Sequence, residues 1–256
     1  MDYIKTELKD DVLRLTIDRP EKKNALTVAM YTALAEAVEQ GEENAGVRVL
    51  LLHGNGDSFT AGNDLADFLA NPWKGQAVPP AVRFMFAVAR AKKPVVAAVQ
   101  GSAVGIGVTI LLHCDLVYAA DNAKLMMPFI NLGIVPEAGS TVLLPALIGH
   151  QRAAELLMLG APISAQRAYE LGVVNAVVPP DMLLATALNA AQTLAEKPGA
   201  ALRAAKALMK KAGEPEVERA MREEVEVLAE RLGSPESREA LTAFLQKRKP
   251  NFKQFR

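Results

Sequence analysis

The sequence is short of metal-binding and disulfide-forming residues. Its 256 residues include one cysteine, Cys114, which can form neither an internal disulfide nor a zinc-binding thiolate cluster. The three histidines are scattered, and none has a carboxylate or a second histidine at metal-ligand spacing. We therefore expect no metal site, and the cysteine usage fits a reducing compartment.

The sequence also lacks an excess of either charge. Its 29 basic and 29 acidic residues cancel, whereas a nucleic-acid-binding protein would be expected to present a basic face. Residues 1–11 are charged and contain no apolar core, and glycines interrupt the long apolar stretch near 95–112. The C-terminal residues NFKQFR do not form a peroxisomal signal. We expect a soluble, cytoplasmic protein that binds neither nucleic acid nor membrane.

Half of the residues are apolar, and their spacing in the first part of the chain predicts alternating strands and helices. Thr27 is positioned to cap a helix, and Gly41 would stop it. A turn-rich segment at 59–80 predicts an exposed loop of the kind that carries binding groups. The alternation favours a layered α/β domain with mostly parallel strands. The predicted strands are 12–17, 47–52, 94–99 and 115–119, and the predicted helices are 28–38, 81–91 and 105–112.

From Asp181 onward, the composition changes to alanine, leucine and charged residues. The breaker Lys197-Pro198-Gly199 marks a boundary, so we divide the chain into a catalytic core at 1–196 and a helical region at 197–256. Helices of this composition must bury one face, against the core and against another subunit. They are predicted at 181–195, 200–212, 215–231 and 235–247, the last one starting at a Ser-Pro-Glu cap.

One carboxylate, Glu137, lies in locally uncharged sequence between Pro136 and Gly139. On the sequence alone it could be a catalytic base or an ordinary loop glutamate. Gly62 and Gly105 lie at strand-to-helix turns, where backbone N–H groups lack intrahelical partners. Two facing turns of this type would form an oxyanion hole, which is one interpretation among several because such turns are common.

Two other interpretations of this region are weak. His113 and Cys114 are adjacent like a nucleophilic pair, but neighbours on one element usually point apart. Gly105-Ile106-Gly107 follows a predicted strand and opens a helix, but the third glycine of the dinucleotide-binding fingerprint is missing.

Five segments closely resemble blocks of the crotonase, or enoyl-CoA hydratase/isomerase, superfamily. They cover almost the whole chain in the family's order. The resemblance implies a spiral core of ββα units and a C-terminal helical region that forms trimers or pairs of trimers. It also implies an acyl-CoA thioester as substrate, with coenzyme A as part of that substrate rather than a separate cofactor. The segments are RPEKKNALT (19–27), FTAGNDLADF (59–68), PVVAAVQGSAVGIGVTILLHCDLVYA (94–119), LGIVPEAGSTVLLP (132–145) and FLQKRKPNFK (244–253).

The resemblance also implies roles for individual residues. Asn63 and Ile106 would supply the oxyanion hole for the thioester carbonyl. Asp64 and Asp67 could cap helices rather than contact coenzyme A, and Lys253 could be a solvated charge. Alanine at position 66, where hydratases carry an adenine-side lysine, suggests altered nucleotide contacts. Positions lining the CoA site are Lys23, Ala25, Ala61, Asp64 and Leu65, with Phe252 and Lys253 reaching the cofactor of a neighbouring subunit, and the acyl pocket includes Phe129, Leu132 and Ile134.

The acid and base groups distinguish the family's activities. Members resembling the hydratases carry two glutamates at positions that hold Thr109 and Phe129 here. Glu137 matches the single glutamate of the Δ3,Δ2-enoyl-CoA isomerases, and apolar neighbours would strengthen it as a base, although a helix N-terminus near Gly139 would oppose this. We predict an isomerase acting on 3-enoyl-CoA. The alternatives are a ring-epoxide acyl-CoA isomerase, a weak hydratase, or a non-catalytic acyl-CoA-binding or RNA-binding protein.

Overall fold

The chain folds around two sheets in a computed structural model that describes residues 3–71 and 78–255. The order in the larger sheet is β1-β2-β3-β4-β6-β9, and in the smaller one β5-β7-β8. The strands are β1 (Ile4–Lys9), β2 (Val12–Ile17), β3 (Val49–Gly54), β4 (Val95–Val99), β5 (Ser102–Val104), β6 (Leu116–Ala120), β7 (Lys124–Met126), β8 (Ile163–Ser164) and β9 (Ala176–Val178).

Helices cover the sheets and form the C-terminal part of the chain. Within the described residues they are α1 (Val28–Glu43), α2 (Leu65–Ala70), α3 (Pro80–Ala89), α4 (Ile106–Thr109), α5 (Ser140–Ile148), α6 (His150–Ala154), α7 (Ala165–Glu170), α8 (Leu183–Ala195), α9 (Gly199–Lys211), α10 (Glu214–Leu232) and α11 (Pro235–Leu245). None of them combines the length and the apolarity needed to cross a bilayer.

The larger sheet is covered on both faces. Every residue of β3 and β4 is buried, as expected for parallel strands with helices on both sides. Leu50 and Leu52 join the main core, which includes residues of α1 and α3, whereas Leu51 faces the alanines of α8. Among the described strands of this sheet, β1 alone pairs antiparallel, because a two-residue turn connects it to β2.

Successive segments contribute one strand to each sheet. β4 lies in the larger sheet and β5 in the smaller one, and the same holds for β6 and β7. Thr60 extends this alternation, because it forms a parallel bridge with Ala103 of β5. The chain therefore winds as a spiral of ββα units, as the sequence resemblance implies.

Most predicted elements are present, with ends within a few residues of those expected. The predicted helix at 105–112 is shorter, because α4 continues as a 3-10 turn over Ile110–His113. Strand β1 was missed because only Ile4 of its six residues is buried, so it lacks an apolar pattern. Gly41 does not stop α1: its missing side chain lets the helix approach Leu13 and Leu50. The division of the chain at 196 and 197 stays a prediction.

Two smaller predictions concern the loop and the caps. Thr27 and Ser234 each accept a backbone N–H, from Met30 and Ser237, and cap α1 and α11 as predicted. The predicted loop at 59–80 contains α2, and its residues 72–77 lie outside the described part of the chain.

Candidate active site

Glu137 is a buried carboxylate in the loop that leads into α5. Its side chain is 7% exposed, and its Oε1 accepts a hydrogen bond of 2.5 Å from the hydroxyl of Thr109. Its Oε2 accepts no hydrogen bond from the described residues. Burial raises the pKa of Glu137 to about 7; the Thr109 bond lowers it and the negative charge of Glu224 adds to the rise. Near neutral pH the group can therefore act as both a base and an acid.

Two side chains from distant elements hold the backbone beside Glu137. Ala138 and Gly139 both adopt left-handed conformations, with φ of 60° and 70°. His113 Nε2 lies 2.7 Å from the carbonyl oxygen of Ala138, which can only accept, so Nε2 carries the hydrogen. Burial lowers the pKa of His113 to about 4, which leaves the ring neutral. The carboxylate of Glu224 accepts from the backbone of Gly139 and Thr141 on the other side.

The amide groups of Asn63 and Ile106 are free within residues 3–71 and 78–255, where neither N–H has a hydrogen-bond acceptor. Each lies three residues beyond the parallel bridge between Thr60 and Ala103. Because the bridged segments run side by side in the same direction, both amides emerge at the same end. The register thus puts both unpaired N–H donors at the same end of the paired segments, and their use as an oxyanion hole stays a prediction.

The glycine before each amide permits this geometry. Gly62 has φ of +82°, and a Cβ there would lie 2.8 Å from the backbone oxygen of Val104. Gly105 has φ of +56°, and a Cβ there would lie 3.8 Å from the ring of Phe129. The close approach at Gly62 excludes any side chain, whereas Gly105 is required mainly by its backbone conformation.

Tyr31 is a site residue that the sequence reasoning missed. It lies on α1 with its side chain buried, and its hydroxyl donates a hydrogen bond of 2.5 Å to Oδ1 of Asn63. Burial raises the pKa of Tyr31 well above its usual value, and the nearby charge of Glu137 adds to this. Tyr31 therefore connects the Asn63 turn to the neighbourhood of Glu137. Its position in the apolar pattern of α1 made it look like a core residue, and the hydroxyl was the only available signal.

The predicted CoA-site positions before α2 lie close together. The Ala61 amide donates to the carbonyl of Lys23 at 2.9 Å. Arg19, which the sequence reasoning also missed, uses Nη1 to bind both the carbonyl of Ala25 at 3.0 Å and Oδ2 of Asp64 at 2.7 Å. The fifth position, Leu65, directly follows Asp64 as the first residue of α2.

Both aspartates in this region cap helices. Asp64 accepts from the backbone of Ala66 and Asp67 at the start of α2. Asp67 accepts from the amide of Val28, the first residue of α1, at 2.8 Å. These bonds match the capping alternative for the two carboxylates, and they also fix α2 against α1.

Phe252 and Lys253 lie near the C-terminal end of the chain, beyond α11. Both are exposed in a 3-10 helix, Phe252–Phe255, which packs against α11. Glu239 on α11 holds the preceding segment, because it binds the guanidinium of Arg248 and the amide of Asn251. The contact of Phe252 and Lys253 with coenzyme A in a neighbouring subunit stays a prediction.

The three predicted acyl-pocket residues share the loop before Glu137. Phe129 is buried against Gly105, while Leu132 and Ile134 are half-buried. The Ile134 amide donates to the Phe129 carbonyl at 3.1 Å, which closes a turn. A Cβ at Gly133 would lie 2.8 Å from the Ser237 amide, so this loop packs directly on the start of α11.

Among the described residues, the buried carboxylates are Glu137 and Glu224. Both oxygens of Glu224 accept hydrogen bonds, so Glu137 is the buried carboxylate with an oxygen free for a ligand. In the same part of the chain, no three His, Cys, Asp or Glu side chains cluster as metal ligands would. The site therefore offers one base, two backbone donors and an apolar wall.

Comparisons with known proteins agree with this architecture. The family model described as enoyl-CoA hydratase/isomerase matches residues 7–255. The 1,2-epoxyphenylacetyl-CoA isomerase of Escherichia coli strain K12 is 37% identical, over 98% of each chain. The peroxisomal enoyl-CoA delta isomerase 3 of Mus musculus is 31% identical, over 93% of this chain and 76% of its own.

A solved structure is similar throughout. The crystal structure of an enoyl-CoA hydratase/isomerase from Pseudoalteromonas atlantica T6c aligns with a TM-score of 0.94 and 40% identity, over 98% of this chain and 99% of its own. Other relatives are named as hydratases, so both reaction types occur among similar proteins. On its sequence and its fold, the chain belongs to the enoyl-CoA hydratase/isomerase family, within the crotonase superfamily.

Proposed function

We propose that this protein is an acyl-CoA isomerase that moves the double bond of a 3-enoyl-CoA to give the 2-enoyl-CoA. The observation that carries the proposal is Glu137, which within residues 3–71 and 78–255 is the one buried carboxylate with a free oxygen, together with the unpaired amides of Asn63 and Ile106. One base and two donors are what this reaction needs.

The reaction is a proton transfer through one carboxylate. In a 3-enoyl thioester, the carbonyl and the double bond together acidify the proton on C2. Glu137 removes that proton, and the electron pair becomes a dienolate whose oxygen accepts from the Asn63 and Ile106 amides. In a preorganised site, each such donor contributes about 3 kcal/mol to stabilising the developing charge. The protonated Glu137 then returns the proton to C4, and the C2–C3 double bond forms.

The surroundings of Glu137 support this shuttle. A base with a pKa of about 7 has a substantial ionised fraction at neutral pH and, once protonated, can release the proton again. The two reacting carbons are separated by one carbon on the same substrate face, so a single carboxylate can reach both. No water molecule takes part in this route.

The two side chains at the hydratase glutamate positions argue against efficient hydration. Thr109 binds Glu137, and Phe129 packs against Gly105, so both positions border the site. Adding water requires one group to deprotonate the water and another to protonate carbon. Neither a threonine hydroxyl nor a phenyl ring supplies a second acid or base of carboxylate strength.

A second candidate is the isomerisation of an aromatic ring epoxide thioester. The relative at 37% identity carries the name 1,2-epoxyphenylacetyl-CoA isomerase, and a site with one carboxylate also suits that substrate. A non-catalytic acyl-CoA-binding role is less well supported, because the chain has a glutamate at position 137. An RNA-binding role is less well supported because the net charge is zero, whereas an RNA-binding protein would be expected to present a basic face.

The same proposal includes the binding of coenzyme A and the assembly of subunits. Lys23, Ala25, Ala61, Asp64 and Leu65 would line the nucleotide part of the substrate. Phe252 and Lys253 would complete it from a neighbouring subunit of a homotrimer or a pair of trimers. We place this enzyme in the cytoplasm.

The test compares three substrates and one variant. Purified protein is mixed with a 3-enoyl-CoA, and conjugation is followed by absorbance; the ring epoxide of phenylacetyl-CoA and crotonyl-CoA are assayed in parallel. Glu137→Gln should lower isomerisation at least about 1000-fold, while the exposed Glu155→Gln should not. Undiminished activity of Glu137→Gln would mean that Glu137 is not the catalytic base. Faster turnover of the epoxide would favour ring-epoxide isomerisation as the function, and strong crotonyl-CoA hydration would favour a hydratase.

A further inference from the structure

Glu224 is a buried carboxylate outside the proposed chemistry. It lies on α10, 85 residues beyond Gly139, and is 6% exposed. Its Oε2 accepts from the Gly139 amide at 2.6 Å. Its Oε1 accepts from the amide and the hydroxyl of Thr141 at 3.1 Å and 2.6 Å. Three donors directed at one buried carboxylate make it a specific clamp rather than a chance contact.

The clamp acts on the residues that follow Glu137. Ala138 is not a glycine, yet it adopts φ of 60°, a conformation that costs roughly 1–2 kcal/mol for an L-residue. Such a conformation persists only where the surroundings enforce it. Glu224 fixes one side of this segment, and Val217 and Met221 on the same face of α10 pack 3.1 Å and 3.3 Å from where a Gly139 Cβ would lie.

The clamp also occupies the beginning of α5. That helix starts at Ser140, and its own residues provide no side-chain cap. Uncapped N–H groups and the positive end of a helix stabilise a nearby negative charge. They would therefore favour ionised Glu137 and make it a weaker base. Glu224 accepts from the N–H groups of Gly139 and Thr141. Burial raises the pKa of Glu224, but the bonds from Thr141 and Gly139 oppose this rise and favour the ionised form, which adds a negative charge beside Glu137.

We propose that Glu224 is a positioning residue for Glu137: it holds the left-handed Ala138–Gly139 segment and prevents the start of α5 from stabilising the ionised form of Glu137. This inference rests on the proposed function, in which Glu137 is the base. It assigns part of the base strength to the C-terminal helical region, far from Glu137 in sequence.

The other groups facing Glu137 do not replace this effect. Tyr31 from α1 and Thr109 from α4 are uncharged in the catalytic pH range, since burial raises the pKa of Tyr31 well above its usual value. His113 is neutral for the same reason, because burial disfavours its charged form and lowers its pKa to about 4. The positive charges of Lys206 and Lys210, both on α9, lower the pKa of His113 further. Among the charged side chains that the structure describes, Glu224 is the one whose negative charge raises the pKa of Glu137.

The test is the pH profile of kcat/KM for 3-enoyl-CoA isomerisation by the intact protein. Glu224→Gln removes the charge and leaves one accepting oxygen for three donors. We expect the acidic limb to move to lower pH by about 0.5–1 unit. The plateau of kcat should fall about 3–10-fold with KM nearly unchanged, because the base is weaker and less well held.

Glu223→Gln is the matched control. It removes one negative charge from the neighbouring position of α10, where the side chain is exposed and pairs with Arg219. This variant should keep the wild-type profile. An unshifted limb in Glu224→Gln, or equal shifts in both variants, would overturn the proposal.

A second variant keeps the test informative if Glu224→Gln does not fold. Glu224→Asp retains the charge but is too short to reach both Gly139 and Thr141. We expect its limb near the wild-type pH and its kcat reduced several-fold, whereas an unchanged kcat would contradict the clamp. Glu137→Gln separates the two proposals: if it stays active, the base assignment is wrong, and if it is inactive while the Glu224 profiles are unshifted, only the positioning role is wrong.

Discussion

The hydroxyl of Thr109 lies 2.5 Å from Oε1 of Glu137 and 3.4 Å from the carbonyl oxygen of Gly105. A hydroxyl has one hydrogen to donate and two lone pairs to accept with. When Glu137 is ionised, Thr109 donates to it. When Glu137 carries a proton, it can donate to Thr109, whose own hydrogen then turns toward Gly105. Thr109 thus has a hydrogen-bonding arrangement for each protonation state that a proton shuttle requires.

Replacing Thr109 by valine should shift the pH profile of isomerisation upward. The Thr109 bond lowers the pKa of Glu137, so its loss makes the carboxylate harder to ionise. We expect the acidic limb of kcat/KM to move up by about 1 unit, with much of the activity recovered near pH 9. Thr109→Ser, which retains the hydroxyl, is the control and should keep the wild-type limb. A downward shift in the valine variant would show that the hydroxyl does not stabilise the ionised form. The direction is opposite to that expected for Glu224→Gln, so the two variants check each other.

Removing the hydroxyl of Tyr31 should impair catalysis more than folding. Asn63 is exposed, so water can replace the lost bond and the cost in stability should be small. The turn that presents the Asn63 amide would nevertheless be less well fixed. We expect Tyr31→Phe to lower kcat about 3–10-fold with a thermal midpoint within a few degrees of the wild type. Tyr118→Phe, on β6 against the α8 core, serves as the control and should leave kcat unchanged. Loss of activity in parallel with loss of folded protein would mean that Tyr31 stabilises the hydrophobic core and has no separate effect on catalysis.

The two glycines at φ near +82° allow backbone strain to be separated from a steric clash. Gly62 and Gly149 have φ of +82° and +83°, but only at Gly62 would a Cβ meet a backbone atom, the Val104 oxygen at 2.8 Å. Alanine at either position should cost roughly 1–3 kcal/mol because both backbones have a positive φ that a side chain disfavours, and Gly149, with ψ of 153°, lies in a region that only glycine normally adopts. Gly62→Ala should additionally displace the Asn63 turn and lower kcat/KM at least about 100-fold. Gly149→Ala, where no atom lies within 4 Å, should remain active. Comparable kinetic losses in both variants would contradict a role for this close approach.

The sequence predicts the parts of this protein that depend on local pattern. The apolar runs of β3 and β4 are buried because both faces of the sheet are covered, and the alanines of α8 recur at the spacing that packs on that sheet. Glu137 stands out as an isolated carboxylate in apolar sequence, but only its match to the single glutamate of the isomerases favoured a catalytic base over an ordinary loop glutamate. Strand β1 could not be recognised, because an exposed edge strand needs no apolar alternation.

The electrostatic environment of the site depends on contacts between distant residues. In the sequence, Thr109 stands out only because it occupies a position where the hydratases carry a glutamate. In the structure it is the hydrogen-bond partner of Glu137. The helix terminus near Gly139 was expected to weaken the base, but Glu224 occupies it; the sequence predicts the helix that carries Glu224 but gives no sign of this contact. Tyr31 and Arg19 were missed for the same reason, because their partners lie more than thirty residues away in the sequence.

The buried base should also make the folded state less stable as the pH rises. The pKa of Glu137 is about 7 in the folded protein, against 4.5 for the free side chain. Between these values the folded state binds more protons than the unfolded state, so this group makes the free energy of unfolding decrease from about pH 4.5 to about pH 7. Above about pH 7, Glu137 is ionised in both states, and the destabilisation of the folded state no longer changes with pH. Glutamine has a similar shape, still accepts from Thr109 and carries no charge, so Glu137→Gln should raise the free energy of unfolding at pH 8 by roughly 2–3 kcal/mol.

The pH dependence of this gain identifies its cause. Urea unfolding of Glu137→Gln and the wild type, at one protein concentration, should give a clear difference at pH 8 and almost none at pH 4.5. Glu155→Gln, an exposed substitution of the same type, should give no difference at either pH. A gain of equal size at both pH values would mean that packing rather than the buried charge sets the stability of this loop. A pH-dependent gain combined with lost isomerase activity would mean that the protein gives up stability to keep an ionisable base in an apolar site.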